Sequence, residues 1–326
     1  MSDTTTMQYR KMGASGLELS TYALGGWTTF GGSLKDEALA REIITTAFDA
    51  GVNFFDIADV YALGEAERLM GKTLAEFPRH ELVISSKAYW PMSQAPNNRG
   101  LSRKHLFESV EGSLRRIGTD YLDLYFCHRF DATTPLEETV RALDDLVRQG
   151  KILYWGTSEW TGAQVREACA IADRLGCYAP RVEQPQYSLL ARAKVESDVR
   201  PVTDEAGMGL VLWSPLSSGL LTGKYDDGLP EGSRLARIEF LRTRLMQDDL
   251  LGKVRAMKAI ADELGCTRTQ LALAWAAAQP GVTSVILGAT SVAQLVENLG
   301  ARDLVLSPDA LARLDALFPP DGMLEE

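Results

Sequence analysis

Eight short apolar runs, each separated from the next by a helical pattern, constrain this chain more than any other feature. The runs are "LSTYALGG" (19–26), "NFFDIA", "LVISSKA", "YLDLYFCH", "ILYWGTS", "RVEQPQY", "GLVLWSP" and "SVILGA", and their β-branched and aromatic content reads as buried strands. The intervening helices carry signed ends. In "TPLEETVRALDDLVRQG" Thr134 is a candidate cap, Pro135 suits the first turn, Glu137 completes a capping box and Gly150 stops the helix. In "SRKHLFESVEGSLRRIG" Phe107, Val110, Leu114 and Ile117 form the apolar stripe and Gly118 the stop. Such unbroken alternation is the pattern of a parallel sheet covered by helices, an α/β fold.

A doubly wound sheet and a closed (β/α)8 barrel both satisfy that pattern. The doubly wound dinucleotide fold places GxGxxG after its first strand, whereas "ALGGWTTFGGS" spaces its glycines differently, so the (β/α)8 TIM barrel is favoured. A length of 326 residues suits one such barrel, and a single domain over 1–326 is expected. The opening "MQYRKMGASGLELS" predicts a β-hairpin that plugs the N-terminal end of the barrel. Residues 222–250, after the seventh strand, form a long polar loop expected to act as a lid.

Charge and composition narrow the partners. A formal net charge of -10 repels nucleic acid and anionic membranes, so a phosphorylated ligand must meet a local basic patch. No apolar run approaches the roughly 18 residues that span a bilayer, and no charged-then-apolar leader opens the chain; no membrane insertion and a cytoplasmic location are expected. Cys127, Cys169, Cys177 and Cys266 lack metal-ligand spacing, which suits reduced thiols with neither disulfide nor zinc.

A barrel carries its chemistry where its strands end. Asp56 ends the second strand, Tyr61 lies in the following loop, Lys87 ends the third strand and His128 ends the fourth. The Lys87 ammonium stabilises a phenolate and is expected to lower the proton affinity of Tyr61; Asp56 is its natural counter-ion; His128 can donate to a carbonyl oxygen. This quartet would bind an aldehyde or ketone and protonate its oxygen. The hydride must come from elsewhere, and a nicotinamide is the expected donor, because side chains supply none. The ends of the last two strands suit phosphates. "WSPLSSGLLTGKY" offers hydroxyls and Lys224, "LGATSVAQLVEN" offers a glycine turn, Thr290 and a helix N-terminus, and Arg234 in the lid can close over the anion.

Other polar residues have plainer readings. Glu65 and Glu67 read as carboxylates at a helix N-terminus, Arg103, Lys104, Arg115 and Arg116 as an exposed helix face, His80 and His105 as solvated, and Cys127 as a packing residue. Trp90 either packs or lines the substrate pocket.

"FFDIADVYALGEAE", "SSKAYW", "YLDLYFCHRFD", "YWGTSEW", "VEQPQYSLL", "WSPLSSGLLTGKY" and "ILGATSVAQLVENLGA" together resemble the aldo-keto reductases, in particular the branch of potassium-channel β subunits and their plant and bacterial relatives. The resemblance runs from about Met7 to Leu317 with the motifs in order. It implies that Asp56, Tyr61, Lys87 and His128 form the catalytic tetrad, with Tyr61 as general acid. Cofactor contacts carry over to Trp27, Asp56, Ser158, Gln184, Trp213, Ser214, Leu216, Ser218, Lys224, Arg234, Gly288, Thr290, Gln294, Glu297 and Asn298, with NADPH/NADP+ as the cofactor. Ser158 and Gln184 also read as satisfied polar residues of the barrel rim, and Thr290 as a plain helix cap. The substrate pocket maps to Trp27, Tyr61, Trp90 and His128, and a homotetramer follows by analogy.

Two departures matter. The animal channel subunits carry Asn at the position of His128 and Arg at that of Glu159. Keeping His128 favours a working reductase. The chain begins close to its first strand, without a long N-terminal arm. The implied function is NADPH-dependent carbonyl reduction. The alternatives are a redox-sensing accessory subunit of a potassium channel with incidental turnover, and a barrel isomerase or lyase acting on a sugar phosphate.

Overall fold

The eight expected runs close into one ring. The computed structural model describes residues 6–320. Strands β1 (Tyr9–Lys11) and β2 (Glu18–Ser20) form an antiparallel hairpin, and β3 (Tyr22–Gly25) begins a parallel barrel. The barrel continues through β4 (Phe54–Asp56), β5 (Val83–Ala88), β6 (Leu122–Cys127), β7 (Ile152–Ser158), β8 (Val182–Gln184), β9 (Gly209–Leu212) and β10 (Val282–Leu287), and β10 pairs back onto β3. Each connection carries helix, as a right-handed crossover requires. The first run is divided: its Leu19–Ser20 portion belongs to the hairpin, and only Tyr22 onward enters the barrel.

Alternation along each strand sorts the apolar side chains into two cores. Ala23, Phe54, Val83, Leu124, Phe126, Val182, Val211 and Ile286 point inward and pack with Met12 and Leu19 of the hairpin. The hairpin is therefore the floor of the barrel. Gly13 in its turn has φ +54, and a Cβ there would stand 2.2 Å from the carbonyl oxygen of Gly207, so only glycine lets the plug seat this closely. The outward residues, including Tyr22, Phe55, Ile84, Tyr125 and Cys127, join the helical stripes in the second core.

Two local expectations fail for physical reasons. Thr134 does not cap the helix Leu136–Arg148, which starts after Pro135; its hydroxyl instead donates to Asp131 at 2.7 Å. Residues 222–250 are not a plain polar loop, since they contain the helices Arg234–Arg237 and Glu239–Leu245, pinned by buried Leu235 and Leu245. Among the described residues no helix is long and apolar enough to cross a membrane.

Candidate active site

At the C-terminal rim, β4, β5, β6, β7 and β8 deliver one polar side chain each. Asp56 is the last residue of β4, paired in register with Ser85 of β5; Lys87 lies two residues further and so on the same face. Lys87 Nζ donates to Asp56 Oδ1 at 2.8 Å, to Asp56 Oδ2 at 2.7 Å, to the carbonyl oxygen of Ile57 at 2.7 Å and to Tyr61 Oη at 3.3 Å. Ser85 Oγ and Gln184 Nε2 also donate to Asp56 Oδ1, at 2.8 and 2.9 Å. Ser158 Oγ donates to the Gln184 carbonyl at 2.8 Å and completes the chain of donors. An ammonium with no solvent access costs several kcal/mol in desolvation, and this cage of acceptors offsets it.

Tyr61 reaches this cage through unusual backbone. Ala62 (φ 49), Leu63 (φ 53) and Gly64 (φ 90) are all left-handed, and they reverse the chain from Tyr61 into the helix Glu65–Leu74. Non-glycine residues in that region cost roughly 1–2 kcal/mol each. Among the described residues seven non-glycine positions have such φ values: Thr28, Ala62, Leu63, Glu159, Ser214, Ser217 and Ser218. All follow the C-terminal ends of β3, β4, β7 and β9, so local strain is concentrated around one cavity.

Electrostatics set the protonation states. Burial pushes the Tyr61 phenol well above its ordinary value, and the Asp56 carboxylate adds to the effect. Burial outweighs the lowering expected from the Lys87 ammonium, so the net shift is upward. Tyr61 keeps its proton at neutral pH, which is the state a proton donor requires. Burial lowers the Lys87 proton affinity while Asp56 supports the charge. Burial, aided by Lys87 and Arg129, holds His128 well below its usual range, so its ring is neutral. His128 Nδ1 is buried with no partner among the described residues; the tautomer protonated on Nε2 avoids an orphaned N–H. The Tyr61 and His128 rings stand edge to face with centroids 5.7 Å apart.

Above these groups opens a cavity of about 520 Å³, within the usual range for a small-molecule site. Its floor is Asp56, Tyr61, Trp90 and His128; its walls are Trp27, Ser158, Gln184, Trp213 and the turns after β9 and β10. Trp27 and Trp213 meet edge to face at 5.6 Å. A sequence model described as the aldo/keto reductase family matches residues 22–318.

The chain belongs to the aldo/keto reductase family.

Two relatives of this reductase are described as probable voltage-gated potassium channel subunits beta. The Oryza sativa subsp. japonica protein is 48% identical over 318 residues, covering 95% of this chain and 96% of the relative. The Arabidopsis thaliana protein is 48% identical over 319 residues, covering 96% and 97%.

Most positions expected to hold a dinucleotide line the reductase's cavity: Ser214, Leu216, Ser218, Lys224, Arg234, Gly288, Thr290 and Gln294 join Trp27, Ser158, Gln184 and Trp213. Their chemistry fits the group. Lys224 and Arg234 supply cations for a pyrophosphate, the tryptophans supply flat apolar walls, and a Cβ at Gly288 would meet no atom within 4 Å, leaving room at the β10 turn. Arg234 also packs over Trp27 at 5.5 Å and donates to Thr28 Oγ1 at 2.6 Å, tying the lid segment across the cavity.

Two expected contacts, Asn298 and Glu297, are not part of the cavity lining. Asn298 is buried, and its Nδ2 donates to the Gly288 carbonyl at 3.2 Å; Glu297 sits on the same helix, where its carbonyl accepts from Gln270 Nε2 at 3.2 Å. Gln294 Oε1 accepts from the Thr290 N–H at 2.8 Å, and the helix Val292–Leu299 is capped by Ser291 rather than by Thr290, because Ser291 Oγ accepts from the Gln294 N–H at 3.2 Å.

Other residues depart from their plain sequence readings. Glu67 is fully buried, paired with Arg116 and accepting from Ser86 Oγ at 2.6 Å, so neither it nor Arg116 belongs to a solvated helix face. His105 is 1% exposed, neither ring nitrogen has a partner among the described residues, and burial lowers its proton affinity. Glu159, where the animal channel subunits carry Arg, is sealed: it pairs with Lys194 at 2.7 Å and accepts from Trp213 Nε1 at 2.8 Å and from the Gln186 N–H. Sequence reasoning passed over Arg129, Thr28 and Arg237, all of which line the cavity. Arg129 was the accessible one, since it directly follows a strand-end histidine.

Proposed function

We propose that this aldo/keto reductase reduces aldehydes and ketones to alcohols with NADPH, using Tyr61 as the general acid. The observation that carries the reading is the single ammonium of Lys87 bridging Asp56 and the Tyr61 hydroxyl. Because Lys87 donates to Tyr61 Oη, the phenol's own hydrogen is free to point into the cavity. His128 Nε2–H orients a carbonyl oxygen beside it, and the burial of Asp56, Lys87 and His128 strengthens both contacts. The hydride for the carbonyl carbon would be supplied by NADPH when it is bound. As the oxygen gains negative charge, Tyr61 releases its proton to it, and Lys87 stabilises the phenolate that remains.

Trp213, Ser214, Leu216, Ser218, Lys224, Arg234, Gly288 and Thr290, with Ser158 and Gln184, would hold the dinucleotide. Asn298 would act from behind, through its bond to the Gly288 carbonyl, and Glu297 from the exposed face of the same helix. A cytoplasmic homotetramer completes the proposal, by analogy with the family.

A second reading has the relatives' description in its favour: an accessory β subunit of a potassium channel whose bound nicotinamide reports redox state. One experiment separates the two. Purified protein is assayed by NADPH absorbance on an aldehyde and ketone panel, with NADH in parallel, beside Tyr61→Phe. Carbonyl-dependent oxidation that falls on the order of 10²–10⁴-fold in the variant supports the enzyme, provided NADPH still quenches tryptophan fluorescence. Unchanged turnover in Tyr61→Phe defeats the assignment of the acid. Negligible turnover throughout, with co-purification of a membrane channel, favours the accessory subunit.

A further inference from the structure

Of the cations that line the cavity, Arg234 and Arg129 are each backed by a tryptophan ring. Arg234 lies over Trp27, which meets Trp213 on the side of the turns suited to a dinucleotide. Arg129 lies 5.7 Å from the centre of Trp90, whose ring stands 6.3 Å from that of His128, which in turn contacts Tyr61. Lys224 and Arg234 account for a pyrophosphate at the first end. Nothing in the reduction chemistry accounts for a guanidinium at the second.

Arg129 is half-buried and lines the cavity, yet it forms no ion pair among the described residues. Its one hydrogen bond runs from Nη1 to the carbonyl of His128, at 2.6 Å, out of five N–H donors that a guanidinium offers. Of the carboxylates near it, Asp131 and Asp56 are committed elsewhere, and Glu231 across the same cavity forms no ion pair with it among the described residues. Asp131 accepts from the Leu101 N–H at 2.8 Å, from Thr133 Oγ1 at 2.6 Å and from Thr134 Oγ1 at 2.7 Å, and Asp56 is held by Lys87. The Arg129 charge reaches Tyr61, Lys87 and His128, whose proton affinities it lowers. In a protein of net charge -10 an uncompensated cation beside the proton donor is a place for a ligand's anion.

We propose that Arg129, packed against Trp90, is an anion-binding subsite that selects carbonyl substrates bearing a negatively charged group. This rests on the reductase reading and adds the substrate class to it. The bound substrate spans from the Tyr61 and His128 end, where its carbonyl is protonated, to Arg129, where its carboxylate or phosphate accepts paired N–H bonds. Trp90 covers the apolar body between them.

The test uses 3- and 4-formylbenzoate, each against the matching neutral formylbenzamide, with NADPH. For the better isomer, the ratio of kcat/KM for the anion to that for the amide is expected to be on the order of 10 to 100, the worth of a charge-assisted contact. In Arg129→Gln the ratio falls to about one, while Arg129→Lys restores part of it. Raising the ionic strength lowers the wild-type ratio. A wild-type ratio near one for both isomers, or a ratio that Arg129→Gln leaves unchanged, overturns the subsite. A second measurement does not depend on turnover: titration with 4-(hydroxymethyl)benzoate, followed by tryptophan quenching, which wild type shows and Arg129→Gln loses. If wild type reduces neither aldehyde, the reductase reading falls and this titration still decides the role of Arg129.

Discussion

Lys87 Nζ stands 2.7 Å from Asp56 Oδ2, and the Lys87 side chain has no solvent access at all. Neither charge is tolerable there without the other. Asp56→Asn leaves the ammonium without a counter-ion and is expected to cost about 3–5 kcal/mol of stability. The double variant Asp56→Asn, Lys87→Met removes the orphaned charge and should recover part of that loss, although on the proposed mechanism neither protein is expected to reduce carbonyls. Urea unfolding of the two variants and wild type provides the comparison. A double variant less stable than Asp56→Asn alone would show that the pair is not the source of the cost.

Glu159 fastens the cavity wall. Its carboxylate accepts from Trp213 Nε1 and pairs with Lys194, and although burial works against ionisation, Lys194 and the hydrogen bonds hold it below the ordinary glutamate range. Glu159→Ala strands the Trp213 indole N–H, worth roughly 1–3 kcal/mol of desolvation, while the Lys194 ammonium keeps its solvent access and its bond to the Glu159 carbonyl. The expected result is a shift in tryptophan emission and about tenfold weaker NADPH binding in a fluorescence titration. Wild-type affinity with unchanged emission would mean that Trp213 is held by packing against Trp27 alone.

What could be read in advance followed from what strands and helices do by themselves. Asp56, Lys87 and His128 were visible because a barrel exposes polar residues only where its strands end, and Tyr61 because it follows one of those ends closely. The buried pair Glu67–Arg116 was not visible. Each residue sits on an ordinary amphipathic helix, and only the close approach of those two helices buries Glu67 fully and Arg116 in large part. That approach depends on Gly71, where a Cβ would stand 2.3 Å from the Ile117 carbonyl oxygen. His105 was missed for the same reason, since burial in a helix layer is decided by the neighbour. Arg129 was passed over because its importance lies in a counter-ion it lacks, which no local pattern encodes.

The helix pair offers its own prediction. Glu67→Ala leaves the Arg116 guanidinium facing buried Ser113 without a carboxylate, and a loss of about 3–5 kcal/mol is expected. Gly71→Ala forces the helices Glu65–Leu74 and Arg103–Ile117 apart and should destabilise by more than 1 kcal/mol, on the scale of about 1–3 kcal/mol for an overpacked contact. Thermal or urea unfolding measures both. A Gly71→Ala protein as stable as wild type would require these helices to separate freely.

The dependence of stability on pH can be isolated at Glu183. Burial raises its carboxyl to about 8, the Glu159 charge contributes, and the side chain accepts from Thr157 Oγ1 and, at 3.3 Å, from the Trp160 N–H. An unfolded glutamate loses its proton near about 4.3. Between those values the folded chain holds a proton that the unfolded chain has released, so stability from this group falls as pH rises and levels off above about 8. Glutamine has no proton to lose. The stability of Glu183→Gln relative to wild type should therefore improve from pH 5 to pH 8, by at most about 1.4 kcal/mol per pH unit. His128, whose proton affinity is lowered, pulls the other way below about 6.5, but it is common to both proteins and cancels in the difference. Urea unfolding of the pair at the two pH values reads this difference directly, and a gap that stays constant or narrows would mean that Glu183 is already ionised in the folded barrel.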